Sequence, residues 1–204
     1  MNNVLLGVAL LPDQPTIDAA TAIGRAFVGP AGSARWCELV REPYCLVYHA
    51  LFSRDLSPLV LEVVRGIAAE EPVIQTSLVE FGIQDGHLSW ITSHTEWRRL
   101  RALQAKVLAA LAPRRAIQSV IAPSRQGGRD ALRENLDRYG YRYCEELFVP
   151  QLRLAYLSDL ASAMSSLHRL TPATRDCQLV RMAAVALSPE TGTVWPLAEA
   201  ELVA

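Results

Sequence analysis

Lysine is nearly missing from this chain: of 20 basic residues, all but Lys106 are arginine. That bias is ascribed to a GC-rich coding source before any function. Excess charge of either sign is missing too, and a net charge of −1 excludes nucleic-acid binding driven by overall charge. There is no CxxC pair among Cys37, Cys45, Cys144 and Cys177. With no signal peptide read at the N-terminus, the expectation is a reduced, cytoplasmic chain. The longest apolar runs, Val4 to Leu11 and Met182 to Leu187, are far too short to cross a bilayer, so no membrane association is expected. Histidine is scarce, and His49, His87, His94 and His168 show no metal-ligand spacing with one another or with the cysteines. Neither a metal nor a cofactor is expected. Gln126-Gly127-Gly128-Arg129 lacks the spacing of a phosphate-binding loop.

What is present suits an ordinary globular protein. The 204 residues, 50% of them hydrophobic, are enough for one sizeable core, and a single two-lobed domain over residues 1–204 is expected. Val4 to Leu11 reads as a buried strand, and Thr16 to Val28 as a helix stopped by Gly29-Pro30. Ser57 and Pro58 open a helix through Leu59, Val63 and Ile67. Asp85-Gly86 marks the turn of a hairpin within Val73 to Thr92. Ser93 to Glu96 has capping-box spacing ahead of a helix that Pro113 ends. A shorter helix over Arg129 to Tyr139 stops at Gly140, and Ser158 caps another through Leu160, Met164 and Leu167. Gln178 to Leu187 and Thr193 to Val203 form a closing hairpin around Pro189-Glu190-Thr191-Gly192. The aperiodic, arginine-rich connection from Arg114 to Arg129 reads as either a solvated link or a lid. Trp36, Trp90, Trp97 and Trp195 read as core, and Arg98, Arg99 and Arg101 as a solvated helix face.

Two strand-like segments stand out. Each begins after a proline: Pro43 leads into Tyr44-Cys45-Leu46-Val47-Tyr48, and Pro150 into Gln151-Leu152-Arg153-Leu154-Ala155-Tyr156. Tyr44 and Gln151 are 107 residues apart, one in each half of the chain. Period-two alternation puts Tyr44 with Leu46, and Gln151 with Arg153, on one face of their strands. The second segment follows a helix end, a Gly140-Tyr141-Arg142-Tyr143 turn and the acidic lead-in Glu145-Glu146. The first runs on through His49-Ala50-Leu51-Phe52 to Ser57-Pro58.

Over roughly residues 4 to 157 the chain resembles the 2H phosphoesterase superfamily, the 2′-5′ RNA ligase and cyclic phosphodiesterase proteins. There each half supplies a Pro-His-x-Thr-hydrophobic strand. The resemblance implies an α+β, two-lobed fold: two antiparallel-rich sheets around a central cleft, with helices outside. It also implies that Tyr44 and Gln151 stand where the two histidines would be, with Leu46 and Arg153 in place of the threonines.

Those substitutions do not keep the mechanism. One histidine of such a site takes a proton from the attacking group and the other gives one to the leaving oxygen. Gln151 cannot titrate, Leu46 has no polar group and Arg153 stays charged. Only Tyr44 can exchange a proton, with an ordinary pKa near 10. His49, an odd number of steps from Tyr44, falls on the opposite face of a regular strand, and only a β-bulge would return it. His87, His94 and His168 read as structural.

The candidate catalytic residues are therefore Tyr44, Gln151 and Arg153, with Leu46, Tyr48, Arg142 and Tyr143 as ligand contacts. Buried Arg153 requires a counter-anion. Glu80, Glu145 or Glu146 would make it scaffold; a ligand carboxylate, phosphate or enolate oxygen would make it a binding group. The expected function is a diverged protein that no longer hydrolyses phosphodiesters and binds a small anionic or carbonyl-bearing ligand, as a repurposed isomerase, cyclase or lyase or without chemistry. The alternatives are a noncatalytic module for nucleotides, RNA or protein, and a surviving cyclic phosphodiesterase using Tyr44 or His49. Ligand identity and oligomeric state are not legible.

Overall fold

The computed structural model describes residues 3–28, 37–116, 130–167, 170–171, 174–188 and 194–204. Gly29-Pro30, Trp36, His168, the Pro189–Gly192 turn and 117–129 of the arginine-rich connection lie outside the described residues. The strands among the described residues are β1 (Asn3–Pro12), β2 (Cys37–Ser53), β3 (Ile74–Gln84), β4 (His87–Thr92), β5 (Gln151–Leu157), β6 (Arg175–Leu187) and β7 (Val194–Glu201). The α-helices are α1 (Gln14–Val28), α2 (Ser57–Ala68), α3 (Trp97–Leu111), α4 (Asp130–Tyr139) and α5 (Leu160–Ser166).

The strands run antiparallel in the order β1-β2-β5-β4-β3-β6-β7, and β1 also pairs with β6. That last pairing closes six strands into a barrel-like ring, with β7 added outside it along β6. The two antiparallel-rich sheets read from the sequence are thus joined into one sheet by β2–β5 and β3–β6. The two motif strands, β2 and β5, lie side by side, with Tyr44 opposite Arg153.

The sheet has an apolar face on each side. One face carries Cys45, Val47, Tyr48, Phe52, Trp90, Leu152 and Leu154, and packs against α1, α2 and α3. The other carries a smaller cluster of Ala9, Leu11, Tyr44, Leu46, Ala183, Val185 and Leu187. Asp85 and Gly86 both have positive φ, 52° and 71°, as a two-residue hairpin turn demands. Gly140, at φ 73°, ends α4.

Several local expectations shift. Leu56, not Ser57, is the N-cap of α2, whose buried residues are Val60, Val64 and Ala68. Asp159, not Ser158, caps α5 by accepting from the amides of Ala161 and Ser162. Leu160 and Met164 are exposed, because that short helix turns Ala163 and Ser166 inward. Trp195, read as core, is half exposed because it sits on the outermost strand.

The main departure concerns register. Between β1 and β2 the pairing passes from Val8↔Tyr48 to Ala9↔Leu46, so Val47 is an extra residue. Between β4 and β5 it passes from Leu88↔Ala155 to Ser89↔Arg153, so Leu154 is extra. The bulges occupy equivalent places, each one residue after the second motif position. Each resets the alternation, so Tyr48 joins Cys45 and Val47 on the helix-facing side and His49 falls on the side of Tyr44 and Leu46. Gly7, paired with His49, permits the close approach: a Cβ there would lie 2.6 Å from the Tyr48 carbonyl oxygen. Gln104 of α3 braces the first bulge by donating to the Val47 carbonyl at 2.8 Å. It also donates to Tyr143 O and accepts from Glu145 N, tying the bulge to the connection before β5.

Candidate functional site

The sequence candidates divide between the two faces. Leu46, Tyr143, Gln151 and Arg153 line one enclosed space with Gln84, Asp85, Tyr141 and Phe148. Tyr44 lies beneath it in the apolar cluster, only 2% exposed, with the Arg153 guanidinium 5.9 Å above its ring and hydrogen-bonded to it. Tyr48 is not a cleft wall: its hydroxyl donates to the Tyr139 carbonyl at 2.7 Å on the helix-facing side. Arg142 does not line the space; its carbonyl accepts from Asn135.

Arg153 is 7% exposed and, among the described residues, forms no ion pair. Of the carboxylates expected to neutralise it, Glu145 pairs with Arg138 and Glu146 with Arg101. Asp85 acts on Arg153 electrostatically, yet its carboxylate accepts from the Tyr143 hydroxyl at 3.0 Å. Burial works against the Arg153 charge, but the oxygens of Tyr44 and Tyr141 hold its pKa above the ordinary value.

Two histidines join Arg153. His49 packs on Tyr141 with ring centroids 4.4 Å apart. His87 flanks the hairpin turn and lies two residues from Ser89, the strand partner of Arg153. Burial first, and the Arg153 charge second, push each histidine pKa down to about 3, so both rings are neutral at pH 7. Burial raises the Tyr44 hydroxyl against the pull of Arg153. Burial also raises Tyr141 and the thiol of Cys45, the latter to about 11.

Around this group several buried polar atoms have no partner among the described residues: His49 Nδ1, His87 Nε2, Ser89 Oγ and Gln151 Oε1. Gln151 keeps one bond, from Nε2 to Gln84 Oε1 at 2.6 Å. Orphaned buried polar groups are uncommon and costly, and here they gather around one cation. The enclosed space measures about 10 Å³, room for a single water. His87 itself lines a different cavity, of about 220 Å³, with Glu38, Leu39, Val40, Arg41, Tyr156 and Val194. No group of three or more metal-ligating side chains exists among the described residues. No helix described is long and apolar enough to cross a membrane.

Sequence reasoning missed Gln84, Asp85, Tyr141 and Ser89, and read His87 as structural. One local signal was available: in a two-residue hairpin the flanking residues, Gln84 and His87, are cross-strand partners and share a face.

Neither a protein-family model nor a curated protein sequence matches the chain. Solved structures do. TT0787 of Thermus thermophilus superposes with a TM-score of 0.62 at 14% identity, covering 97% of each chain. LigT of E. coli, in complex with 3′-AMP, gives 0.58 at 15% identity over the full length of both chains. A structure described as a phosphoesterase gives 0.53 at 12%, again over both whole chains. LigT has also been solved with NADP+, ATP and phosphate. At such identities the likeness shows the fold, which is the 2H phosphoesterase-like fold.

Proposed function

We propose that this protein binds a small anionic ligand at Arg153 and has lost the phosphodiester hydrolysis that paired motif histidines perform. The supporting observation is the buried Arg153 guanidinium, without a carboxylate ion pair among the described residues, amid buried polar atoms that lack partners. A charge held this way is costly unless an anion completes it. That relatives in fold are known with AMP, ATP and phosphate is consistent with this. Entry of a tetrahedral or carboxylate group requires Tyr143 to leave Asp85 and Gln84 to leave Gln151, since these contacts close the space.

The motif positions themselves offer no acid and base. Tyr44 is sealed and its pKa raised by burial; Gln151 does not ionise. Losing general acid–base groups worth roughly a hundredfold to ten-thousandfold each leaves hydrolysis negligible. One observation favours a second reading: the Val47 bulge brings His49 to the site. A histidine with a pKa near 3 carries no proton to give at pH 7 and is a weak base, which sets that reading second. The RNA reading loses ground because Arg99 and Arg101 are committed to Glu71 and Glu146, and Arg114 and Arg115 to backbone carbonyls.

Calorimetric titration with methyl phosphate tests the anchor: measurable binding, weakened about a hundredfold in Arg153→Met, is expected from losing charge-assisted hydrogen bonds. Unchanged binding in that variant would refute it. Incubation with 2′,3′-cyclic nucleotides, followed by phosphorus NMR, should show no turnover above buffer. Turnover that His49→Ala removes would install the second reading instead.

A further inference from the structure

Independently of any anion at Arg153, we propose that the cavity lined by His87 binds a small zwitterion, an α-amino acid with an apolar side chain. The cavity lies where β2 departs from its partner strand. From Leu39 to Tyr44 the chain takes five steps while β5, from Ala155 to Arg153, takes two, so three residues of β2 have no place in that ladder. An excursion of this size breaks the alternation. Glu38 and Arg41, three apart and on opposite faces of a regular strand, thereby line the same space. The excursion is tied down at its far end, where Glu42 accepts from Arg181 at 3.0 Å and Arg181 also pairs with Glu199 of β7.

Cross-strand partners on three strands form one side of the cavity: Glu38 on β2, Tyr156 on β5 and His87 on β4. The rings of Tyr156 and His87 meet edge to face, with centroids 5.5 Å apart. His87 Nδ1 donates to the Asp85 carbonyl oxygen at 2.9 Å, which holds that ring in place. Leu39, Val40 and Val194 add apolar walls. The volume, about 220 Å³, falls below the roughly 300–1,000 Å³ of sites for drug-sized molecules. A single amino acid is of the right size.

Charge decides the class of ligand. The His87 ring is neutral at pH 7, because burial and then the Arg153 charge push its pKa down to about 3. Glu38 and Arg41 therefore supply the charges of the described lining. Both are exposed, and among the described residues neither forms an ion pair, with the other or with anything else. Glu38 can only accept and Arg41 can only donate. A simple anion would meet Glu38, and a simple cation Arg41. A zwitterion satisfies both: its ammonium donates to Glu38, its carboxylate accepts from Arg41, and its side chain lies against Tyr156, Val40 and Val194.

L-Phenylalanine, 3-phenylpropionate and phenethylamine share one apolar body and differ in which charged groups they carry. In NMR titrations of the full chain, L-phenylalanine should move the methyl shifts of Val40 and Val194. It should bind at least about fivefold tighter than either analogue, which is the upper end of what an exposed ion pair supplies. Glu38→Gln should remove its preference over 3-phenylpropionate, and Arg41→Gln its preference over phenethylamine. Both side chains are exposed, so either variant keeps the fold. Equal affinities for the three compounds, or preferences that survive both substitutions, overturn the zwitterion selection. Val40 and Val194 shifts that stay put at about 10 mM L-phenylalanine overturn the site itself.

Discussion

The two motif strands share one backbone plan and carry opposite chemistry. Each follows a proline, aligns two side chains at alternate positions and bulges one residue later, at Val47 and at Leu154. On β2 the aligned pair, Tyr44 and Leu46, belongs to an apolar cluster with Ala9, Leu11 and Val185, and Leu46 adds an apolar wall to the enclosed space. On β5 the pair, Gln151 and Arg153, lies against Gln84, Asp85 and Ser89 and among unpartnered polar atoms. The backbone repeat therefore does not make the site symmetric: one strand turns its aligned pair towards apolar neighbours and the other towards polar ones. The bulge in β2 still contributes, because it brings His49 to the side where Arg153 lies.

That contrast can be broken at several points. The largest effect is expected at Gln104, whose amide satisfies Val47 O, Tyr143 O and Glu145 N inside the protein. Gln104→Leu leaves three backbone groups bare and should cost about 3–5 kcal/mol in urea denaturation. A loss under about 1 kcal/mol would mean the first bulge does not need its brace.

Next comes the strand that carries Arg153. Arg153→Met should lower methyl phosphate affinity about a hundredfold, or about 2.7 kcal/mol. Leu46→Val on β2 should leave that affinity within about twofold, because Leu46 lines the space with an apolar side chain and the change removes one methylene and no hydrogen-bonding group. Equal effects from the two substitutions would erase the distinction between the strands.

Acid should act through the histidines. The His87 pKa is about 3 in the fold and 6.5 ordinarily, so on acidification the unfolded chain takes the proton first. Stability is then full above about pH 6.5 and declines as pH falls towards 3, by about 2 kcal/mol at pH 5 from His87 alone. Denaturation midpoints at pH 7 and 5 measure this, and His87→Phe should remove that part of the slope. The smallest effect belongs to the closing contact. Tyr143→Phe frees Asp85 and should raise methyl phosphate affinity a few-fold, worth about 1 kcal/mol, with faster association in stopped flow. Slower association would show that Tyr143 holds the ligand rather than excluding it.

Much of the plan was legible because its causes are local. Asp85-Gly86 dictates a two-residue turn through positive φ at both positions, Gly140 stops α4 for the same reason, and alternation marked β2 and β5. The site was less legible. A bulge carries no residue signature of its own, and one extra residue reverses every later side chain, which is why Tyr48 and His49 exchanged faces. Gly7 was the available hint, a glycine inside an apolar strand where another backbone comes close. Gln104 sits on a helix marked only by its apolar spacing, and its partners lie 39 to 57 residues away.

By itself the sequence determined the strand pair, the proline-led alternation and the residue types at Tyr44, Leu46, Gln151 and Arg153, because residue type and period two are properties of a short segment. Only the tertiary structure decided which polar groups meet Arg153. That choice depends on which strands become neighbours and where their register slips, and both are settled by packing between residues a hundred positions apart.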